Sequence, residues 1–306
     1  MFGRVTIRLA IIMMMLFTGI IALILVIAPF PGDQILYITD PRDDQTATLY
    51  IHDLNHHIIL PVKDDLIGWG LDAAWSPDGR QIVYSSFYDD RAYRGLYIVD
   101  VASHTSRHIN TGDIDVNSPA WSPDGRYIAY QGVTNPDANW DIYLYDLQTE
   151  ESHLIYSGFG RDGNPTWSPD GQQLAFEITS NGGQGDIYLY DLQTEILTQL
   201  TTDFSTEMFP TWSPDGERLL LISKQNTGNW GVWQLNVITG EMMQLTDHPG
   251  DEYEAAWSPD GQWIVFMSDR STDKVRQIYL MNLSSGETQQ ITSGADGFRQ
   301  PSFRPK

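Results

Sequence analysis

The chain has 306 residues, with 40 Asp and Glu against 18 Lys and Arg, a formal net charge of −22 at pH 7. That charge repels nucleic acid and anionic lipid headgroups, so no nucleic-acid partner is expected; it serves solubility and suits a basic partner or a cation. There is no cysteine, which excludes both disulfides and a lipid-anchored cysteine.

The first element in chain order is an uncharged apolar run from Leu9 to Phe30, with Arg4 and Arg8 ahead of it and no acid before Asp33. A bilayer core needs about 20 apolar residues of helix. Residues 1–30 therefore read as a cytoplasmic stub and a transmembrane signal-anchor. A cleaved secretory signal is the alternative, but the run exceeds the usual signal core of about 7–15 residues. Pro29 also follows directly on the one cleavage-like stretch, Val26-Ile27-Ala28. Under both readings residues 31–306 lie on the extracytoplasmic side, periplasmic or cell-surface, because basic residues ahead of the span stay in the cytoplasm.

From residue 31 the chain repeats. Trp-Ser-Pro-Asp-Gly begins at Trp75, Trp121, Trp167, Trp212 and Trp257, and an eroded sixth copy has Phe303 in the Trp place, in Pro301-Ser-Phe-Arg-Pro. A fixed period of about 45 residues means that one supersecondary unit is stacked on copies of itself. Around Trp167 the unit reads as four short strands, a to d: Pro165-Thr-Trp, Gln172 to Ile178, Asp186 to Leu192, and Ile196 to Thr201. The strands alternate at period two and turn chemistry separates them. The expected fold is all-β, a six-bladed propeller of four-stranded antiparallel blades over residues 31–306, preceded by one N-terminal transmembrane helix. Gln34 to Thr39 is a second strand with no Trp strand before it, and Gln300 to Phe303 is a Trp-type strand with nothing after it. The end of the chain is therefore predicted to complete blade 1 and close the ring.

These segments, with Ile142-Tyr-Leu-Tyr-Asp-Leu and the Leu200-Thr201 and Leu245-Thr246 pairs, resemble the WD40-like PD40 repeat of the TolB C-terminal propeller. The resemblance covers nearly everything after residue 31 and implies the fold. It leaves the activity open, because related propellers serve in transport accessories, peptidases and polysaccharide lyases. TolB-like proteins carry an N-terminal α/β domain, whereas here the apolar segment is expected to meet the first blade directly.

An up-and-down meander puts the a–b and c–d turns on one face and the b–c and d–a loops on the other. The first face carries the repeated turns. Asp78, Asp124, Asp170, Asp215 and Asp260 read as turn residues whose side chains cap nearby N–H groups. Trp75, Trp121, Trp167, Trp212 and Trp257 read as packing between blades. The second face varies from blade to blade, as binding loops on a rigid scaffold do. Its expected binding residues are Trp69, Asp72, Asp115, Asn117, Trp140, Asp162, Asn164, Glu207, Trp230, Glu252, Tyr253, Glu254 and Arg299. Pro29 to Asp33 span at most about 18 Å; the repeated face is therefore expected to lie toward the bilayer and the variable mouth away from it.

Signatures of catalysis are missing from the sequence: no Gly-x-Ser-x-Gly, no glycine-rich phosphate loop, no His-Glu-x-x-His. No catalytic residue, metal or cofactor is therefore expected. Asp113-x-Asp115-x-Asn117 matches the start of a calcium loop, but Ser118 stands where glycine is needed. His104 and His108 fall in a turn-to-strand region, where a four-residue spacing does not align side chains. The expected function is a scaffold for an exported protein or peptide, membrane-attached through the N-terminal helix. The alternative is a glycan or small-ligand sensor, or a glycan-active enzyme, using the central funnel with Glu252 and Glu254 as an acid–base pair.

Overall fold

The computed structural model describes residues 34–40, 46–66, 71–87, 93–135, 139–158, 160–179, 183–202, 205–225, 228–271 and 273–306. The expected signal-anchor lies outside the described residues, among which no helix is long and apolar enough to cross a membrane.

Among the described residues, twenty-four strands form six four-stranded antiparallel sheets. Blade 1 begins with Gln34–Asp40 (β1), Ala47–Asp53 (β2) and Ile58–Leu66 (β3). Blade 2 holds Ala73–Trp75 (β4), Gln81–Phe87 (β5), Arg94–Asp100 (β6) and Ser106–Ile109 (β7). Blade 3 holds Asp115–Trp121 (β8), Tyr127–Val133 (β9), Asp141–Asp146 (β10) and Glu151–Tyr156 (β11). Blade 4 holds Arg161–Trp167 (β12), Gln173–Thr179 (β13), Gly185–Asp191 (β14) and Leu197–Gln199 (β15). Blade 5 holds Glu207–Trp212 (β16), Arg218–Ser223 (β17), Gly231–Asn236 (β18) and Met242–Gln244 (β19). Blade 6 holds Glu252–Trp257 (β20), Trp263–Ser268 (β21), Gln277–Asn282 (β22) and Thr288–Gln290 (β23). The last strand, Gly297–Phe303 (β24), pairs with β1, so blade 1 has the order β24-β1-β2-β3 and the ring closes as predicted.

Alternation along the second strand of each blade builds the core. Successive side chains on a strand point to opposite faces, and here the two faces belong to two different blade interfaces. In β5, Ile82 and Tyr84 join the cluster shared with blade 1, while Val83 joins the cluster shared with blade 3. In β13, Leu174 and Phe176 pack toward blade 3 and Ala175 toward blade 5. In β1, Ile35 and Tyr37 face blade 6, and Leu36 and Ile38 face blade 2. Six apolar clusters result, one at each junction.

The repeated tryptophans belong to these junctions. Trp75, Trp167 and Trp257 are buried members of their clusters, Trp121 and Trp212 pack at the margin of theirs, and Phe303 takes the equivalent place between blades 6 and 1. The repeated aspartates are turn residues. Each accepts a hydrogen bond from the serine two residues before it, as Ser76 Oγ to Asp78 Oδ1 at 2.7 Å, and from the backbone N–H two residues after it. The same serine oxygen accepts the N–H of Gln81, and Gly79 supplies the positive φ. The hydroxyls hold the carboxyls of Asp78, Asp124 and Asp170 below the usual carboxylate range.

Trp257→Ala opens a cavity between blades 5 and 6 and is expected to cost about 3 kcal/mol. Urea unfolding followed by tryptophan fluorescence measures it; an unchanged midpoint would contradict the packing role.

Candidate functional site

The innermost strands line a central channel of about 420 Å³. Five of the six depart from regular pairing at the same point. Ser118, Asn164, Phe209, Glu254 and Gln300 all have left-handed backbone, with φ between 49° and 54°, beside a register shift against the next strand. Each is one residue of a β-bulge, and Pro119, Pro165, Pro210 and Pro301 follow four of them. A side chain in that conformation is strained and persists only where the surroundings hold it.

Here the preceding blade does the holding. The bulge N–H of Ser118 donates to Asp72 Oδ2 at 3.1 Å, and that of Gln300 to Glu254 Oε2 at 2.7 Å. The N–H of Phe209 donates to Glu177 Oε2 at 3.3 Å, and that of Asn164 to Gln131 Oε1 at 3.4 Å. Gly163 lets Gln131 approach, since a Cβ there would collide with its amide oxygen. Ser118 Oγ lies 2.9 Å from both Asp72 Oδ2 and Asn164 Oδ1, and Asn164 Nδ2 donates to Glu177 Oε1 at 2.8 Å. Polar links thus join blade to blade around the waist of the channel. Burial pushes the carboxyls of Asp72 and Glu177 up; the positive charge of Arg299 opposes the shift at Asp72 and that of Arg161 opposes it at Glu177.

A second set of acids stands behind this waist at the loop end. Asp162, Glu207 and Glu252 stand at equivalent positions of β12, β16 and β20, two residues before the bulge residue, and all three are fully buried. Asp162 Oδ2 accepts the N–H of Gly158 at 3.0 Å, Glu207 Oε1 accepts Ser223 Oγ at 2.8 Å, and Glu252 pairs with Arg270. Burial pushes Asp162 up to about 7 and Glu252 in the same direction.

The sequence reading placed these side chains in exposed loops. The structure instead makes Asp115, Asn117, Asp162, Asn164, Glu207, Glu252, Tyr253, Glu254 and Arg299 members of the innermost strands, with Asp72 just ahead of β4. The physical reason is the bulge: it keeps the strand paired through a polar, proline-containing stretch that reads as loop. Asp115 is held by Arg94, Nε to Oδ1 at 3.0 Å, and Asn117 accepts Ser85 Oγ at 2.6 Å. Asp113 accepts Tyr130 Oη at 2.6 Å, so the three side chains of the calcium-like pattern each have a different protein partner. Glu254 faces the channel and holds Arg299 at 3.1 Å. Gln131 and Glu177 are hidden in the sequence because a polar residue in an alternating strand looks like its solvent face; the residue-Pro pairs two residues ahead of Trp121, Trp167, Trp212 and Phe303 were the available clue.

Around the mouth stand half-buried aromatics fixed by cations. Trp140 lies between Arg94 and Arg161, whose guanidinium carbons are 5.4 and 5.6 Å from its ring. Trp230 is covered by Lys224 at 4.7 Å and neighbours Tyr253, which Arg276 covers at 5.3 Å. Trp69 lies outside the described residues.

Asp162 carries a pH prediction. Between the ordinary carboxylate range and about 7, the folded state keeps a proton that the unfolded chain has lost. Its contribution to stability therefore grows as pH falls from about 8 toward 4. Asp162→Asn keeps an acceptor for Gly158 and is expected to be more stable than the wild type at pH 8 by about 2 kcal/mol, with a flatter pH profile. Urea unfolding at pH 5 and pH 8 checks this; an unchanged slope would contradict it.

Comparison with known proteins agrees with this architecture. The family model described as the TolB beta propeller domain, PD40, matches residues 89–228 and 207–306. No curated protein matches the chain. Among solved structures, TolB from Acinetobacter baumannii is similar with a TM-score of 0.77 and 25% identity, over 90% of this chain and 67% of that one. A putative TolB from Agrobacterium tumefaciens gives 0.68 and 21%, over 86% and 89%. An oligogalacturonate lyase from Vibrio parahaemolyticus shares the fold, at 0.58 and 16% over 86% and 75%. The family matches span well over half of the sequence, and the chain belongs to the TolB β-propeller (PD40) family.

Proposed function

We propose that this chain is a membrane-anchored, extracytoplasmic propeller that binds an exported protein or peptide through its loop face. One observation carries the reading: Trp140, Trp230 and Tyr253 surround the mouth, half-exposed and pinned by cations. Tryptophan, tyrosine and arginine contribute most of the binding energy at protein interfaces. Side chains already held in place lose little freedom on association. The anchored, extracytoplasmic part rests on the uncharged Leu9–Phe30 segment and on Arg4 and Arg8 before it. Strand β1 leaves the repeated-turn face at Gln34, and an anchor there turns the mouth away from the bilayer.

A label-generating enzyme fused after Lys306 in the native host tests the binding role. The wild type is expected to label a small, reproducible set of exported proteins. The triple variant Trp140→Ala, Trp230→Ala, Tyr253→Ala is expected to lose that set while keeping a cooperative urea transition. Identical labelling by the folded variant would show that the mouth is the wrong surface.

The rival reading, a glycan or other small ligand in the funnel, draws on Asp72 and Glu254 facing the 420 Å³ channel. Glu252 and Glu254 each hold an arginine, Arg270 and Arg299, so neither carboxylate stands ready as half of an acid–base pair. A glycan that raises the melting temperature of the wild type and not of Glu254→Gln would move the function into the channel.

A further inference from the structure

Ile58, Ile59 and Leu60 are consecutive and exposed, at 49%, 50% and 57%. They open β3, the outermost strand of blade 1, and Pro61 beside them is exposed as well. The other blades supply an internal comparison. Every c–d turn ends on a left-handed residue, His57, His104, Glu150, Glu195, Gly240 or Gly286, which sets the outer strands in one register. After it come Thr105-Ser106-Arg107 in blade 2, Glu151-Ser152-His153 in blade 3 and Glu287-Thr288-Gln289 in blade 6. Blades 4 and 5 have Ile196-Leu197-Thr198 and Glu241-Met242-Met243, each mixing apolar with polar. Only blade 1, among these described edges, is apolar at all three positions. An unpaired apolar edge invites association, and proteins ordinarily keep such edges polar.

The position of this edge says what covers it. Asp53 pairs with Gln34 on one side and with Ile58 on the other, so Ile58 lies two strand spacings, about 10 Å, from Gln34. Three residues, 31–33, separate Gln34 from the end of the uncharged Leu9–Phe30 run, and that stretch reaches at most about 14 Å. The one fully apolar edge thus stands on the one blade that adjoins the apolar segment. The patch is bounded at the turn by Asp53, paired with exposed His56, and by exposed His57, and further along β3 by Lys63, paired with Asp65, and by exposed Asp64, a net acidic rim. Those charges fit shallow immersion in an uncharged acyl–headgroup boundary and oppose both deep burial and attraction to anionic headgroups.

We propose that Ile58, Ile59 and Leu60 form a lipid-contact patch that seats blade 1 on the bilayer surface beside the N-terminal span and so fixes the tilt of the propeller. The inference rests on the anchored reading of residues 1–30.

Because the chain has no native cysteine, single spin labels can be placed in the full-length protein. Leu60→Cys labels the patch. Thr198→Cys labels the equivalent, exposed position of blade 4, opposite blade 1 in the ring. In phosphatidylcholine vesicles the label at 60 is expected to be roughly five-fold less accessible than the label at 198 to a water-soluble nickel relaxant, and more accessible to oxygen. Equal accessibility in a chain that floats with the vesicles would overturn the patch and leave the anchor standing. A chain that does not float would overturn both. Two further results also overturn the proposal: dipolar coupling between labels at 60, which marks edge pairing of two copies, and equal shielding in detergent without vesicles, which marks cover by the chain itself.

Discussion

Everything in this molecule depends on the sharing of each blade's second strand between two apolar cores. No blade has a core of its own: Ile82 and Val83 are neighbours in sequence yet pack in different clusters. A blade is therefore stable only between two others, and the row of blades must end in itself. Pairing of β24 with β1 provides that ending, and Phe303 fills the last junction as the tryptophans fill the others. Loop-closure entropy between strands so far apart in sequence opposes this contact, and the β24–β1 pairing together with apolar burial at the junction of blades 6 and 1 outweighs it.

A closed ring of six blades brings six innermost strands close together, and each has an unpaired side facing the channel. The bulges answer this constraint. They place proline where no N–H is needed and turn the preceding N–H onto a side chain of the neighbouring blade, Asp72, Gln131, Glu177 or Glu254. The acids at the waist thereby join blades together, while Glu207 and Glu252 above it hold groups of their own blades. Their burial carries an electrostatic cost, visible in the raised carboxyls of Asp72, Asp162, Glu177 and Glu252. What stays accessible at the loop end is a different set, aromatic rings with cations on them, and the proposed function rests on this set.

Much of the fold was legible because the repeat states it several times. Trp-Ser-Pro-Asp-Gly encodes a turn whose Ser–Asp–backbone bonds are local, and local chemistry reads directly from sequence. Closure was legible from a missing first strand and a surplus last one. The candidate site was less so. Asp162 and Glu254 looked like loop acids because polarity and proline imply loop, and a bulge that hides both inside a paired strand is set by tertiary contacts. Trp140 and Trp230 read as aromatics in irregular loops, but Arg94 and Arg161, which hold Trp140, come from other strands and leave no local trace, whereas Lys224 stands in Trp230's own loop. The exposed apolar edge of blade 1 is hidden for a similar reason: Ile58-Ile59-Leu60 reads as an ordinary apolar strand until the fold shows it outermost.

The central claim is that the loop face, and no other surface, meets the partner. Site-specific photocrosslinking in native membranes tests it most directly, with the photoreactive residue at Asn139 or Asn229, beside Trp140 and Trp230 on the loop face, and at exposed Pro123 in a Ser-Pro-Asp-Gly turn on the opposite face. The account predicts one discrete adduct of constant mass from both loop-face positions and none from Pro123. Adducts confined to Pro123, or absent from both loop-face positions in chains shown to be folded, would contradict it.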